Sequence, residues 1–366
     1  MSAAGESKKL NAAVVGLRMG AGHVSAYCKL PEYNLAAVCD INQDLAKKIS
    51  AESGGAPYYT NYIEMLEKTK PDVVCVATPN TLHCEMTVQA IERGAKGVYC
   101  EKPVAVNMRE AKLMRAAAAK KNIPLVIGHQ RRVSAPYITM RKAVTNGLIG
   151  EVYLIRGICA GDFLSDGTHT IDSMLYLNGD CGVEWALGQI YRGPKASAEE
   201  QAANRYAYTG NRFGHNTERG AISSFGLSNG VRCETISGDQ LLMPGRWYQD
   251  IEIFGSAGRL WRNNDQSEPA LRINSANTGG EWAELPVSGG LEGDPYGLLN
   301  AHKLFAETVS CGANNPPHPM SIENAMPGFE TVMAIYESAR LNARIQFPLK
   351  QEEFPLDLII KERGEF

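Results

Sequence analysis

The feature that most narrows the fold is the rhythm of the first third of the chain. Short apolar runs at 12–16, 35–40, 73–78, 97–100 and 125–128 alternate with helical patterns at 22–30, 43–50, 61–68, 81–93 and 107–120. The runs are rich in Val and Ala and do not alternate apolar with polar residues, as expected of strands buried on both faces. Strand, helix and strand repeated at this spacing predict a parallel sheet with right-handed crossovers. A doubly wound α/β domain over residues 1–128 is the expectation.

Near Gly150 the rhythm changes. Longer strand candidates follow at 152–160, 184–192, 220–237, 248–254 and 270–273, separated by turn signals such as Ser228–Gly230 and Gly255–Gly258. They predict an α+β domain over 129–366 with a large, mostly antiparallel open sheet. One helix, 169–177, interrupts it. The polar stretch 196–216 reads as a long loop, of the kind that forms lids or subunit contacts. The amphipathic pattern at 321–343 is expected to be a helix that packs back on the first domain. A chain of 366 residues is long enough for two cores of this kind.

Composition excludes some partners. The formal charge is −3 and acids and bases are interspersed, so neither nucleic acid nor a membrane surface is expected. Nine cysteines without a C-x-x-C pair predict reduced thiols rather than disulfides, and with seven histidines they give no metal signature. The start "MSAAGESKKL" has no apolar core of a signal peptide, and no run has membrane-spanning length, so a cytoplasmic protein is expected.

"AAVVGLRMGAGH" leaves the first strand for the first helix. Its spacing approximates the G-x-G-x-x-G of a Rossmann dinucleotide site. Gly16 fits the tight turn, Arg18 stands where the second glycine belongs, and Gly20 and Gly22 fall one place off the third. Arg18 is either a partner for pyrophosphate or a solvated arginine. Asp40 ends the second strand, 24 residues after Gly16. An acid there accepts ribose hydroxyls and repels a 2′-phosphate, which favours NAD over NADP. Capping of the helix that starts near Gln43 is its bland alternative.

Further on, "VATPNTLHCEMTVQAIERGAKGVYCEKPVA" (76–105), "IGHQRRVSAPYITMRKAVTNGLIGEV" (127–152) and "SDGTHTIDSMLYLNGD" (165–180) resemble the glucose–fructose oxidoreductase / inositol dehydrogenase family (Gfo/Idh/MocA). The resemblance extends over nearly the whole chain. It implies an NAD(H)-dependent oxidoreductase acting on a sugar, glycoside or cyclitol, with the cofactor either released or retained between turnovers. It also implies a homo-dimer or homo-tetramer assembled through the open sheet.

By that resemblance the lysine of E-K-P, Lys102, is catalytic, and stabilises alkoxide character as a hydride leaves carbon. Glu101 orients Lys102 or the nicotinamide ribose, and Pro103 fixes the turn. Thr78, Pro79 and Asn80 line the cofactor, joined by Met19 and Gln130. Asn80 is alternatively a helix cap, and His83 is either near the ribose or structural. The family's acid/base pattern, D-x-x-x-H, puts His169 in the histidine place. Ser165 stands where the acid belongs; either Asp166, one residue late, serves as the catalytic acid in its place, or the carboxylate is missing and His169 works alone with Lys102. Asp172, three residues after His169, lies on the same helical face and is either its orienting carboxylate or a structural acid. Arg131, Asp162, Thr168 and Arg246 are the remaining candidates for substrate hydroxyls, together with His169. The stretch 161–180 is closest in kind to members that oxidise C3 of a glycoside to a 3-keto sugar. Two other functions remain on the same residues: a glycosidase that oxidises C3 transiently and eliminates the aglycone, and a non-catalytic sugar or nucleotide sensor.

Overall fold

A computed structural model describes residues 9–239, 249–265, 267–312 and 317–364. The chain forms two units. The first takes the chain up to Ala105, then Glu110–Gln130 and Gly297–Ile322; the second takes Val106–Arg109, Arg131–Tyr296 and the chain from Glu323. The segment 297–322 therefore belongs with the first unit, which a simple division at 128 does not anticipate.

The first unit is built on strands β1 (Leu10–Val15), β2 (Tyr33–Cys39), β3 (Tyr58–Tyr59), β4 (Val73–Val76), β5 (Gly97–Cys100) and β6 (Leu125–Ile127), all parallel, in the order β3-β2-β1-β4-β5-β6. Their buried Val, Ala and Cys side chains form the centre of its core. Helices α1 (Leu17–Lys29), α2 (Gln43–Glu52), α3 (Tyr62–Thr69), α4 (His83–Glu92) and α5 (Met108–Lys121) make the crossovers. The strand order reverses between β1 and β4, the switch point at which such sheets bind ligands. The late helix Leu298–Cys311 lies at the start of β5, where a Cβ on Gly97 would sit 2.7 Å from Val309 Cγ2. Beyond it, Ile127 N–H donates to Met320 O at 2.9 Å.

The second unit holds β7 (Val152–Ala160), β8 (Val183–Tyr191), the short pair β9 (Asn211–Arg212) and β10 (His215–Asn216), β11 (Gly220–Leu227), β12 (Arg232–Gly238), β13 (Gln249–Gly255), β14 (Gly258–Arg262), β15 (Arg272–Ser275), β16 (Trp282–Glu284) and β17 (Ile345–Gln346). Nine of these form one sheet, β16-β15-β14-β13-β7-β12-β11-β8-β17, antiparallel except where β7 runs parallel to β12. Helices α6 (Ala135–Thr145) and α7 (Thr168–Leu177) belong to this unit. Gly157 of β7 lets α7 approach, since a Cβ there would meet Thr170 Cγ2 at 2.4 Å.

Two expectations, on 196–216 and on 220–237, need correction. The stretch 196–216 is not an open loop: it contains the capped helix Ala198–Ala203 and the β9–β10 pair. The helix expected at 321–343 spans Ile322–Leu341, and within the second unit it packs on β8, with Ile335 against Gly188 and Ser338 Oγ accepting the Gly188 N–H at 2.9 Å. The strand expected at 220–237 is two, turned at Ser228–Gly230. No described helix is long and apolar enough to cross a membrane.

Candidate active site

In the first unit the site is built by the loops at the carboxyl ends of β1, β2, β4 and β5. Gly16 has φ +86°, and a Cβ on it would lie 2.5 Å from Ala77 O and 2.8 Å from Thr78 N. Only glycine permits both the left-handed turn and this approach to the loop after β4. α1 begins at Leu17, five residues earlier than its sequence pattern predicts. Gly20 does the work of the displaced third glycine: a Cβ there would meet Val14 Cγ1 at 2.8 Å. Arg18 and Met19 lie in the exposed first turn, whose amides have no intrahelical acceptors.

Asp40 ties this turn to β2. Its Oδ2 accepts the Leu17 N–H at 2.8 Å and its Oδ1 the Asn42 N–H at 2.8 Å. A carboxylate offers about four lone-pair sites, so acceptor capacity and charge remain for hydroxyl donors. Asp40 is not the cap of α2; Asn42 is, accepting the Leu45 N–H at 3.1 Å. Thr78 has its buried hydroxyl without a partner among the described residues, and Pro79 is exposed beside it. Asn80 is buried and opens a short 3-10 turn, and the N-cap positions of that turn and of α4 are Pro79 and Leu82. His83 is fully buried, with Nδ1 2.8 Å from Pro103 O and Nε2 3.0 Å from Thr78 O. Burial pushes its pKa down, and a neutral ring donates to one carbonyl at a time. His83 therefore braces the two loops and turns neither nitrogen to a ligand, which corrects its place in the expected cofactor set.

The E-K-P turn follows β5, and its Lys102–Pro103 peptide is cis. Glu101 is buried. Its Oε1 is 2.9 Å from His23 Nε2, and its Oε2 accepts the Lys102 N–H at 3.2 Å. Burial raises the carboxyl, but the His23 hydrogen bond and charge, with the charge of Lys102, outweigh it and hold Glu101 below its usual range. Lys102 is half-buried. Gln130 is the last residue of the second segment of this unit.

In the second unit Asp162, Thr168, His169, Asp166 and Asp172 gather around one irregular turn. A π-helical turn, Phe163–Gly167, precedes α7, a local irregularity common at functional sites. Asp162 caps it, with Oδ1 accepting the Ser165 N–H at 2.7 Å. Gly161, at φ +80°, makes room for Asp166, whose Oδ2 would lie 2.0 Å from a Cβ there. Asp166 is ion-paired with Arg212, which also reaches Asp162 Oδ2 at 3.3 Å. His169 is buried in the first turn of α7, next to Thr168, whose buried hydroxyl has no partner among the described residues.

Asp172 is engaged by Arg132: its two oxygens accept from Nε and Nη2 at 2.8 and 2.9 Å in a fully buried fork, an arrangement that favours the structural acid of the two alternatives. Arg131 is engaged by Asp265. Arg246 lies outside the described residues. Sequence reasoning missed Arg212, His215, Glu218 and Tyr336. Ser165 Oγ lies 3.1 Å from His215 Nε2, while His215 Nδ1 is 2.8 Å from Asn216 O, so the ring accepts the serine hydroxyl. Glu218 accepts the Phe163 N–H and, at 2.6 Å, the Tyr336 hydroxyl. Burial and then the Asp162 charge push its carboxyl up to about 7. Together these residues supply an imidazole, a shielded acid and several hydroxyl-binding groups, the equipment of proton transfer to or from a polyol.

Residues 10–129 match the model of the GFO_IDH_MocA oxidoreductase family, described as having an NAD-binding Rossmann fold. A D-glucoside 3-dehydrogenase of Escherichia coli (strain K12) is 30% identical over 200 residues, 49% of this chain and 57% of that protein. The match thus spans little more than half of that relative's length. A myo-inositol 2-dehydrogenase of Thermotoga maritima is 24% identical over 270 residues, 69% of this chain and 74% of that protein. Among solved structures, an oxidoreductase from Agrobacterium radiobacter in complex with NAD+, L-tartaric acid and magnesium shares the fold. Its TM-score is 0.75 at 18% identity, covering 93% of this chain and 98% of that one.

Proposed function

From the match of residues 10–129 to the GFO_IDH_MocA oxidoreductase family, we propose that the chain is a member of it and transfers a hydride between NAD and a secondary hydroxyl of a sugar, glycoside or cyclitol. The observation that carries the proposal is the switch point, where the Gly16 turn meets Ala77 and Thr78 across the gap between β1 and β4. NAD fits the residues present. The missing Cβ at Gly16 leaves room for a backbone-hugging ligand, the first-turn amides of α1 suit a pyrophosphate, and Asp40 suits an unphosphorylated ribose. Thr78 offers a buried hydroxyl with no partner among the described residues.

When bound, NAD supplies a nicotinamide that takes up or returns the hydride. Lys102 carries the charge that steadies an alkoxide on the reacting carbon. Glu101 positions the Lys102 backbone. His169 holds the hydroxyl proton as general base, and returns it when a ketone is reduced. Asp162, Asp166, Thr168 and Arg131 receive the remaining hydroxyls. Within this class C3 of a glycoside is the favoured carbon, supported by the similarity to a glucoside 3-dehydrogenase. The open face of the second sheet, with Leu187, Ile222 and Ile236 exposed, is the proposed surface for self-association.

The test is to purify the chain without added cofactor, release its contents by heat, and read absorbance at 260 and 340 nm. Glycosides and cyclitols are then offered with NAD+ while absorbance at 340 nm is followed. NADH formed with a keto sugar, abolished in Lys102→Ala, supports the proposal. Aglycone release without net NADH marks the glycosidase instead. No turnover, with sugar affinity unchanged in Lys102→Ala, refutes an enzyme.

A further inference from the structure

Glu101 is the end of a buried line of three side chains in the first unit. His23 Nε2 lies 2.9 Å from Glu101 Oε1, and His23 Nδ1 lies 2.8 Å from His302 Nε2. The three residues come from α1, from the turn after β5 and from the helix Leu298–Cys311, and none is more than 8% exposed. Apolar packing needs no such line, because buried polar groups are costly unless paired.

The proton positions follow from the chemistry of the groups. A carboxylate only accepts, so His23 presents Nε2–H to Glu101. His302 is neutral: burial, then the charges of His23 and His318, push its pKa well below the usual range. The proton between His23 Nδ1 and His302 Nε2 is donated by His302 when His23 is neutral and by His23 when it is charged, and in both cases the pairing keeps His23 Nε2–H on Glu101. His302 is itself held in place. Its ring centroid is 4.4 Å from that of Tyr27 and 4.6 Å from that of Tyr99, and its carbonyl accepts the Tyr33 hydroxyl at 2.6 Å. On the far side Gly128 leaves space for the carboxylate, since a Cβ there would lie 2.9 Å from Glu101 Oε1. The other titratable groups facing Glu101 are Lys102, His83, Cys75 and Cys100.

We propose that His23, braced by His302, is a positioning residue for the E-K-P turn. It holds Glu101 in the orientation and charge state that set the Lys102 backbone at the nicotinamide end of the cofactor site. The inference rests on the NAD reading given above.

The experiment titrates the full chain with NADH, followed by nicotinamide fluorescence, between about pH 5 and 9. The variants are His23→Leu, His23→Gln and His302→Phe, each checked for folding by near-UV circular dichroism. Loss of a hydrogen bond to a charged group predicts that His23→Leu weakens NADH binding about 10- to 100-fold. Without the partner that offset burial, the Glu101 carboxyl rises, so the acid limb of binding moves to higher pH. His23→Gln, whose amide still donates, recovers most of the affinity and returns the limb. His302→Phe keeps the ring stack, removes the partner of Nδ1 and costs about fivefold. An unchanged affinity and pH limb in His23→Leu overturns the inference, as does a loss that His23→Gln fails to recover. If His23→Leu does not fold, His302→Phe decides alone, and its equality with the unaltered chain is the refuting result. An unaltered chain that binds no NADH overturns the cofactor reading itself, and this inference with it.

Discussion

Glu218 gives the second unit a stability that depends on pH in an unusual direction. Its carboxyl rises from the usual glutamate value of 4.5 to about 7 in the folded chain, through burial and then the nearby Asp162 charge. The folded state therefore binds a proton that the unfolded state has released, throughout the interval between those two values. The resulting stability is fully present below 4.5 and is lost as pH rises towards 7. Each unit of pKa difference is worth 1.36 kcal/mol. At pH 5.5, one and a half units below the folded value, about 2 kcal/mol remains, and at pH 8 almost none. Glu218→Gln removes the titration and keeps an acceptor for the Phe163 N–H, although its amide reverses the polarity of the bond to the Tyr336 hydroxyl. Its stability is offset by a constant amount, so the unaltered chain loses about 2 kcal/mol relative to it between pH 5.5 and 8. The assay is urea unfolding at both pH values, followed by tryptophan fluorescence. Trp185, Trp261 and Trp282 all lie in the unit that holds Glu218. Equal losses in the two proteins would refute the reasoning, because they would mean that the carboxyl titrates at its ordinary value.

Other perturbations address other parts of the structure. Arg132→Met strips the fully buried Asp172 of its two-point partner and is expected to cost about 3–5 kcal/mol in urea unfolding; the double change Arg132→Met with Asp172→Leu recovers much of that. Asp40→Ala removes the charge opposed to a 2′-phosphate. It is expected to raise NADPH affinity relative to NADH by about tenfold or more, measured by fluorescence titration of both. Ile222→Glu tests the proposed self-association by putting a charge on the open face of the second sheet; on that proposal light scattering shows a mass above one chain for the unaltered protein and that of a single chain for the variant.

The parallel strands were legible because burial on both faces leaves a continuous apolar run, and β5 and β7 have the bounds that the sequence predicts. β3 was not, because two residues paired at an edge carry no pattern. The start of α1 was misplaced because Gly20 and Gly22 lower helix propensity, while the contact of Gly20 with Val14 overrides it. His169 and Asp172 do share a helical face, but helix spacing says only which residues are able to meet. It does not say that Arg132, forty residues earlier, claims the carboxylate first. His23 had one local signal, its place on the buried stripe Leu17, Gly20, Val24 and Tyr27. Its partners Glu101 and His302 are 78 and 279 residues away, and nothing local announces either.

The return of Gly297–Ile322 to the first unit also sets an order of events on the ribosome. All six parallel strands have been made once Ile127 emerges, yet the histidine that backs His23 and the carbonyl that receives the Ile127 N–H come 175 and 193 residues later. At translation rates of about 5–20 residues per second, that interval lasts roughly 10–40 s. During it the nascent nucleotide unit lacks the helix that covers Tyr27, Tyr99 and the start of β5. The nascent chain is thus a stronger client for chaperones than the finished unit, and a fragment ending near Gln130 inherits the same exposed surface.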